Sequence, residues 1–335
     1  MRPAIFAAAL SAICVFSYLS PVVAGDWSLD ASAMSGIEVP EVPTPDNAST
    51  TKLTSTPKVK SNPGALAGWV DPAAVAGCVI QKYPGGDWCG KVRFGGSFID
   101  GNGNNPISRR FDAFAKGFMA WDQSTVWIDR NNRMQSPKAK RGYYCANQAL
   151  KTVKNDRSLD DAGKNERLRE LLRKCRNEIG GYDPQITLMI WLTRQGPGVS
   201  PAEFFLEAMG YTGSTRAGYY VAHNVAKEIG RNLYLGDPGV NDTFLMKKLT
   251  RICSSNAGCW YHFFGTAAAS EYMGASLSYI SGYIDEVYFK TAHTGKLDPS
   301  YEKIHHNNSG VYLFYLLESY YCAGDPFKLR TKLSE

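Results

Sequence analysis

"SPAEFFLEAMG", Ser200 to Gly210, is the stretch that decides the class of fold. Ser200 can accept a hydrogen bond from the free N–H groups of a first helical turn, and Pro201 has its φ already set for that turn. Glu203 stands three residues on, where its carboxylate reaches back to the Ser200 backbone and completes a capping box. Gly210 is placed to close the end. A stretch with both ends written into it predicts a helix.

Working outward, the same period continues. Leu168, Leu171, Leu172 and Cys175 fall at i, i+3, i+4 and i+7, so one face of that helix is apolar and its Arg and Lys residues face outward. "PQITLMIWLT", 184–193, is apolar nearly all round, as in a helix covered on every side. From Thr215 to Leu235, Val221, Val225, Ile229 and Leu233 form a slowly drifting stripe, which sends Lys227, Glu228 and Arg231 to a polar side. Residues 263–289 read as one long helix rich in small residues, and "GVYLFYLLESYYC", 310–322, as the last helix.

Upstream the pattern changes. "CVIQKYPGGDWCGKVRFGGSFIDGNGNN", 78–105, has Pro-Gly-Gly and Gly-Asn-Gly-Asn between short apolar runs, which predicts hairpins, and "STVWIDR", 124–130, reads as a strand. The expected fold is therefore mainly α with a small β-rich N-terminal subdomain (α+β): hairpins over 67–141 and a helical body over 142–335. Before them, Arg2, the apolar run Ala4–Leu19 and Ala24 at a small-residue cut describe a secretory signal peptide over 1–24. Residues 25–66 are rich in Pro, Ser and Thr and too poor in apolar side chains to offset chain entropy, so they read as a disordered tether. The expected location is secreted or periplasmic. With no further long apolar run, the mature chain is not expected to be an integral membrane protein.

In an exported chain the cysteines after the leader are expected to be bridges rather than metal ligands. Short spacing favours Cys78–Cys89 and Cys253–Cys259; Cys145 and Cys175 are also expected to be bridged, with the connectivity otherwise open. The count of seven is odd, and Cys322 is left without an assigned fate.

One run invites comparison with a metal enzyme. Lys227 to Leu233 carries the Glu, Ile-Gly and Asn-Leu of His-Glu-x-x-His-x-x-Gly-x-x-His, the zinc helix of metzincin proteases. The ligand positions, however, are Lys227, Arg231 and Asp237, and the turn glycine is Tyr234. Two cations where imidazoles must donate exclude zinc on this helix. No metal and no cofactor is expected. No Gly-x-Ser-x-Gly elbow and no phosphate loop is present either.

What remains for catalysis is a pair of acid–base groups assembled across the fold. Glu228 and His223 are the candidate catalytic residues, both near Asn224, with His262 or Glu271 to complete the site. Paired helical carboxylates would suit glycosidic hydrolysis. Charge supplies a second candidate site. Residues 130–176 hold 14 Lys or Arg against 5 Asp or Glu, an excess of 14 − 5 = +9, while the whole chain is only +6. Lys138, Lys140 and Arg141, in a Pro/Gly-bounded loop, and Arg173 and Lys174 on the next helix are the candidate anion-binding residues. The expected function is that of an exported, soluble, envelope-associated or extracellular binding protein of virulence type, acting on an anionic or glycan surface; nucleic acid is not an expected partner. The alternatives are a secreted hydrolase of an envelope polymer or lipid, and a structural component of a secretion or envelope assembly.

Overall fold

The computed structural model describes residues 69–89, 127–134, 136–231, 244–253, 256–284 and 301–323. The expected leader and tether lie outside these residues, as does most of the expected hairpin stretch. The described helices are α1 (Pro72–Lys82), α2 (Pro137–Asn155), α3 (Asp161–Glu178), α4 (Pro184–Leu192), α5 (Pro201–Thr212) and α6 (Thr215–Arg231). They are followed by α7 (Asn256–Met273), α8 (Ala275–Ile284) and α9 (Tyr301–Phe314), which runs on as a π-helical segment, Tyr315–Cys322. No helix among the described residues is long and apolar enough to cross a membrane.

The β-rich subdomain is not what the described residues build: 73% of them are helical, 2% are in strand, and no sheet forms. Asp71 accepts from the Ala73 N–H at 2.9 Å and caps α1, with Pro72 in the first turn, so Cys78–Lys82 of the expected hairpin is helix. The cap is written in the sequence as at Ser200, and the Pro-Gly-Gly that follows ends the helix rather than turning between strands. Trp127 and Ile128 are extended, yet their partner is a side chain. Ile128 N–H donates to Gln185 Oε1 at 3.1 Å, and Gln185 Nε2 donates to Ile128 O at 2.8 Å, so one buried amide stands in for a neighbouring strand. A lone bridge, Ile128 to Met134, closes a tight loop around Asp129.

Smaller corrections have equally local causes. Residues 137–142 are not a loop, because Ser136 caps the N-terminus of α2 and Pro137 fits its first turn. Helix α5 does have the Ser200–Glu203 capping box, but it passes through Gly210 and ends at Gly213, whose φ of 71° only glycine adopts cheaply. Gly274, at φ 88°, divides the expected long helix into α7 and α8. His305 and His306 lie within α9.

Helix α6 is the axis of the body. It packs on α4, α5 and α7, and α9 covers the far side of α7. Phe204, Trp260 and Phe264 meet at ring separations of 5.4 to 5.9 Å between α5 and α7, and Phe205 stacks on Tyr219 of α6 at 5.1 Å. With neighbours on every side, residues 221–230 of α6 are buried without interruption, including His223, Asn224, Lys227 and Glu228. Lys227 and Glu228, expected on a polar, outward side, are interior groups, which are tolerated only when hydrogen-bonded or paired.

The described cysteines form Cys89–Cys322, Cys145–Cys175 and Cys253–Cys259. The Cys78–Cys89 clip is absent, and Cys78 keeps its thiol. Helix α1 carries Cys78 while Cys89 lies past the turn, beside the π-helical segment, where Trp88 stacks on Tyr321 at 5.1 Å. Proximity along the chain was a poor guide because the chain end returns to meet its beginning.

Candidate functional site

Two places in this frame concentrate chemistry, one inside and one outside. The interior site lies where the start of α6, the end of α7 and the π-helical segment converge. Arg216 Nε donates to Glu318 Oε2 at 3.1 Å and lies 3.4 Å from Glu271 Oε2, so two carboxylates share one guanidinium. Thr215 Oγ1 donates to the other Glu318 oxygen. Glu318 and Glu271 are 4% and 11% exposed at the side chain, whereas Arg216, at 35%, reaches solvent. Beside them the Tyr219 hydroxyl is fully buried and has no hydrogen-bond partner among the described residues.

Electrostatics follow from burial. Desolvation pushes the Glu271 carboxyl up to about 7; Arg216 pulls it down and Glu318 pushes it up again. Burial lowers the pKa of Arg216, but Glu271 and Glu318 outweigh it and the guanidinium stays charged. Tyr219 is raised far above its ordinary value, first by burial and then by the two carboxylates, so it remains a phenol. The site thus offers a carboxyl that exchanges a proton near neutrality next to a carboxylate held by Thr215 and Arg216. Two like groups held in unlike surroundings are the arrangement from which acid–base pairs are built. Glu318 lies in a π-helical stretch, a rare backbone form that is frequent at functional sites.

The other expected catalytic residues are not part of this centre. Glu228 accepts from Asn147 Nδ2 of α2 at 2.8 Å. His223 faces α7, its ring 5.1 Å from that of Tyr261 and close against Gly265. His262, on another side of α7, places Nδ1 2.9 Å from Asn307 Oδ1 of α9. Burial, then Lys303, pushes His262 down to about 3, so it is neutral at physiological pH. Glu228 lies twelve residues along α6 from Arg216, about 18 Å at helical rise. Glu271 and Glu228 therefore belong to opposite ends of the helix. Only Glu271 of the expected set lies in the carboxylate centre.

Arg216, Glu318, Thr215 and Tyr219 were missed by the sequence reading. One signal was available: Glu318 is the only charge in the apolar run 310–322, and a carboxylate there must be buried against a cation.

The exterior site is the hairpin of α2 and α3, bridged by Cys145–Cys175 with Cα atoms 5.6 Å apart. Helix α2 carries Lys138, Lys140, Arg141, Lys151 and Lys154 and no acidic residue at all. Helix α3 carries four acids, and neighbours take up three of them: Arg169 pairs with Glu166 at 2.6 Å, Arg167 with Glu170 at 3.1 Å and Lys247 with Asp161 at 2.7 Å, while Glu178 lies 3.6 Å from Cys145 Sγ. Among the described residues, Lys138, Lys140, Arg141, Arg173 and Lys174 have no carboxylate at ion-pair distance. Lys140, Arg141, Arg173 and Lys174 are exposed, and Lys138 is half-buried. Tyr144, 65% exposed, follows Lys140 and Arg141 at i+4 and i+3 and so shares their face.

Known proteins do not name either site: no family model, no curated protein and no solved structure matches this chain.

Proposed function

We propose that the protein is an exported, envelope-associated binding protein that docks on an anionic or glycan surface through the outer face of the α2–α3 hairpin. The observation that carries this reading is a 19-residue helix with five cations and no acid, stapled to a second helix on which three of the four acids are already paired. Cations without nearby counter-charges sum to a local positive field, which attracts phosphate- or carboxylate-bearing polymers and headgroups. Tyr144 supports the same reading, since a flat ring with a polar tip suits the boundary between a charged surface and water. Export rests on the leader-like first 24 residues, and three bridges suit an oxidising compartment. The test is co-sedimentation with vesicles of anionic and of neutral lipid across a salt series. Binding should favour the anionic vesicles and fall as the screening length shrinks to about 8 Å near physiological ionic strength. Equal binding to both would remove the reading.

A second reading, a hydrolase of an envelope polymer or lipid, is favoured by the carboxylate pair. Glu271 near neutrality would serve as the acid and Glu318 as its charged partner. Turnover of peptidoglycan or phospholipid that is lost in Glu271→Gln and Glu318→Gln would establish it; no turnover by the wild-type protein would dismiss it.

A further inference from the structure

The Cys253–Cys259 bridge differs from the other two in what stands beside it. Cys253 precedes α7, Cys259 lies in its first turn, and His306 comes across from α9. One ring nitrogen of His306 and both sulfurs lie within 4.8 Å of one another, and all three residues are buried. Among the described residues this is the one group of three such side chains close enough to hold a metal ion together.

His306 is the independent sign that the group is more than a bridge. Its side chain is completely buried, and neither ring nitrogen makes a hydrogen bond of normal geometry with a described residue. A buried imidazole without good partners is costly, and a hydrocarbon would ordinarily fill such a place. The Ile252 backbone reaches the ring without a hydrogen bond of normal geometry, and a neutral imidazole keeps a lone pair available for a cation. Two sulfurs and one imidazole are the donor set preferred by thiophilic d10 cations. The Cα atoms of Cys253 and Cys259 are 6.4 Å apart, a span that leaves room for sulfurs to separate around an ion with Zn–S distances of about 2.3 Å.

We propose that Cys253, Cys259 and His306 form a redox-gated site for a thiophilic d10 cation, with Zn²⁺ as its representative, occupied when the disulfide is reduced. The chemistry balances with a small-molecule thiol as reductant. Two thiols deliver two electrons and two protons to the bridge, become a disulfide themselves and leave two cysteine thiols. Binding of Zn²⁺ then forms two Zn–S bonds and one Zn–N bond and releases the two thiol protons. Re-oxidation by a small-molecule disulfide takes two electrons from the sulfurs, remakes the bridge and expels the ion. The bridge ties the segment before α7 to its first turn, and the metal would tie both to α9 through His306. The site stands independently of surface docking.

The experiment uses the full chain with Co²⁺ and then Zn²⁺ as probes, first oxidised and then reduced. The reduced protein should bind one equivalent of Co²⁺ with thiolate-to-metal charge-transfer bands, and Zn²⁺ should displace it. The oxidised protein should show no such bands. Changing Cys253 and Cys259 to Ser should abolish binding, His306→Ala should weaken it about tenfold or more, and changing Cys145 and Cys175 to Ser should leave it intact. If reduction costs helicity, far-UV circular dichroism should recover as one equivalent of Zn²⁺ is added. Either of two results overturns the proposal: reduced wild type that binds no more metal than the double Ser variant, or His306→Ala that binds as tightly as wild type.

Discussion

Glu271 and Glu318 approach the same nitrogen, Nε of Arg216, at 3.4 and 3.1 Å. Because Glu271 has its pKa raised from an ordinary 4.5 to about 7, it favours the folded state when protonated. Its contribution is fully present below about pH 4.5 and is lost as pH rises through 7. Glu271→Gln replaces the protonated form with a neutral group of similar shape. Relative to wild type, the Gln variant should gain on the order of 2 kcal/mol between pH 5 and pH 8 in urea unfolding. A difference between the two proteins that does not change with pH would show that the buried carboxyl is not under this strain.

Helix contacts at glycine give a paired prediction. A Cβ on Gly310 of α9 would fall on the Phe263 carbonyl oxygen and Thr266 Oγ1 of α7, well inside contact distance. A Cβ on Gly77 of α1 would meet nothing within 4 Å. Gly310→Ala should therefore cost about 2 kcal/mol or more by forcing α7 and α9 apart. Gly77→Ala should gain about 0.5–1 kcal/mol from helix propensity. Thermal unfolding of the two variants checks the sign of each, and a stabilised Gly310→Ala protein would contradict the packing described.

Cys89–Cys322 closes a separation of 233 residues and Cys253–Cys259 one of 6. If a bridge acts mainly by restricting the unfolded chain, the longer closure has the larger effect. Changing Cys89 and Cys322 to Ser should lower stability by about 2–5 kcal/mol, and changing Cys253 and Cys259 by less. Equilibrium denaturation of the two double variants ranks them.

The residues that were legible in the sequence are those whose cause is local. Ser200 and Glu203 announce a helix start because both halves of the capping box lie within four residues. Leu168, Leu172 and Cys175 announce a buried face because their spacing is the helical period itself. What could not be read depends on residues far apart in the chain. Gln185 turns an expected strand at Ile128 into a lone extended segment from 57 positions away. Glu318 reaches Arg216 across 102 positions, and Lys227 and Glu228 are interior only because three helices surround α6. Amphipathic periodicity assumes that a helix has one wet side, and over residues 221–230 α6 has none.

The proposed surface docking belongs to the α2–α3 hairpin and not to net charge alone. Two triple variants with the same loss of charge separate these. One changes Lys138, Lys140 and Arg141 to Gln; the other changes the exposed Lys82, Arg194 and Arg251, which lie on other elements. Retention on anionic vesicles at low salt should fall at least severalfold in the first and stay near wild type in the second, and the first should also lose most of its salt dependence. Equal retention of both variants would contradict the account.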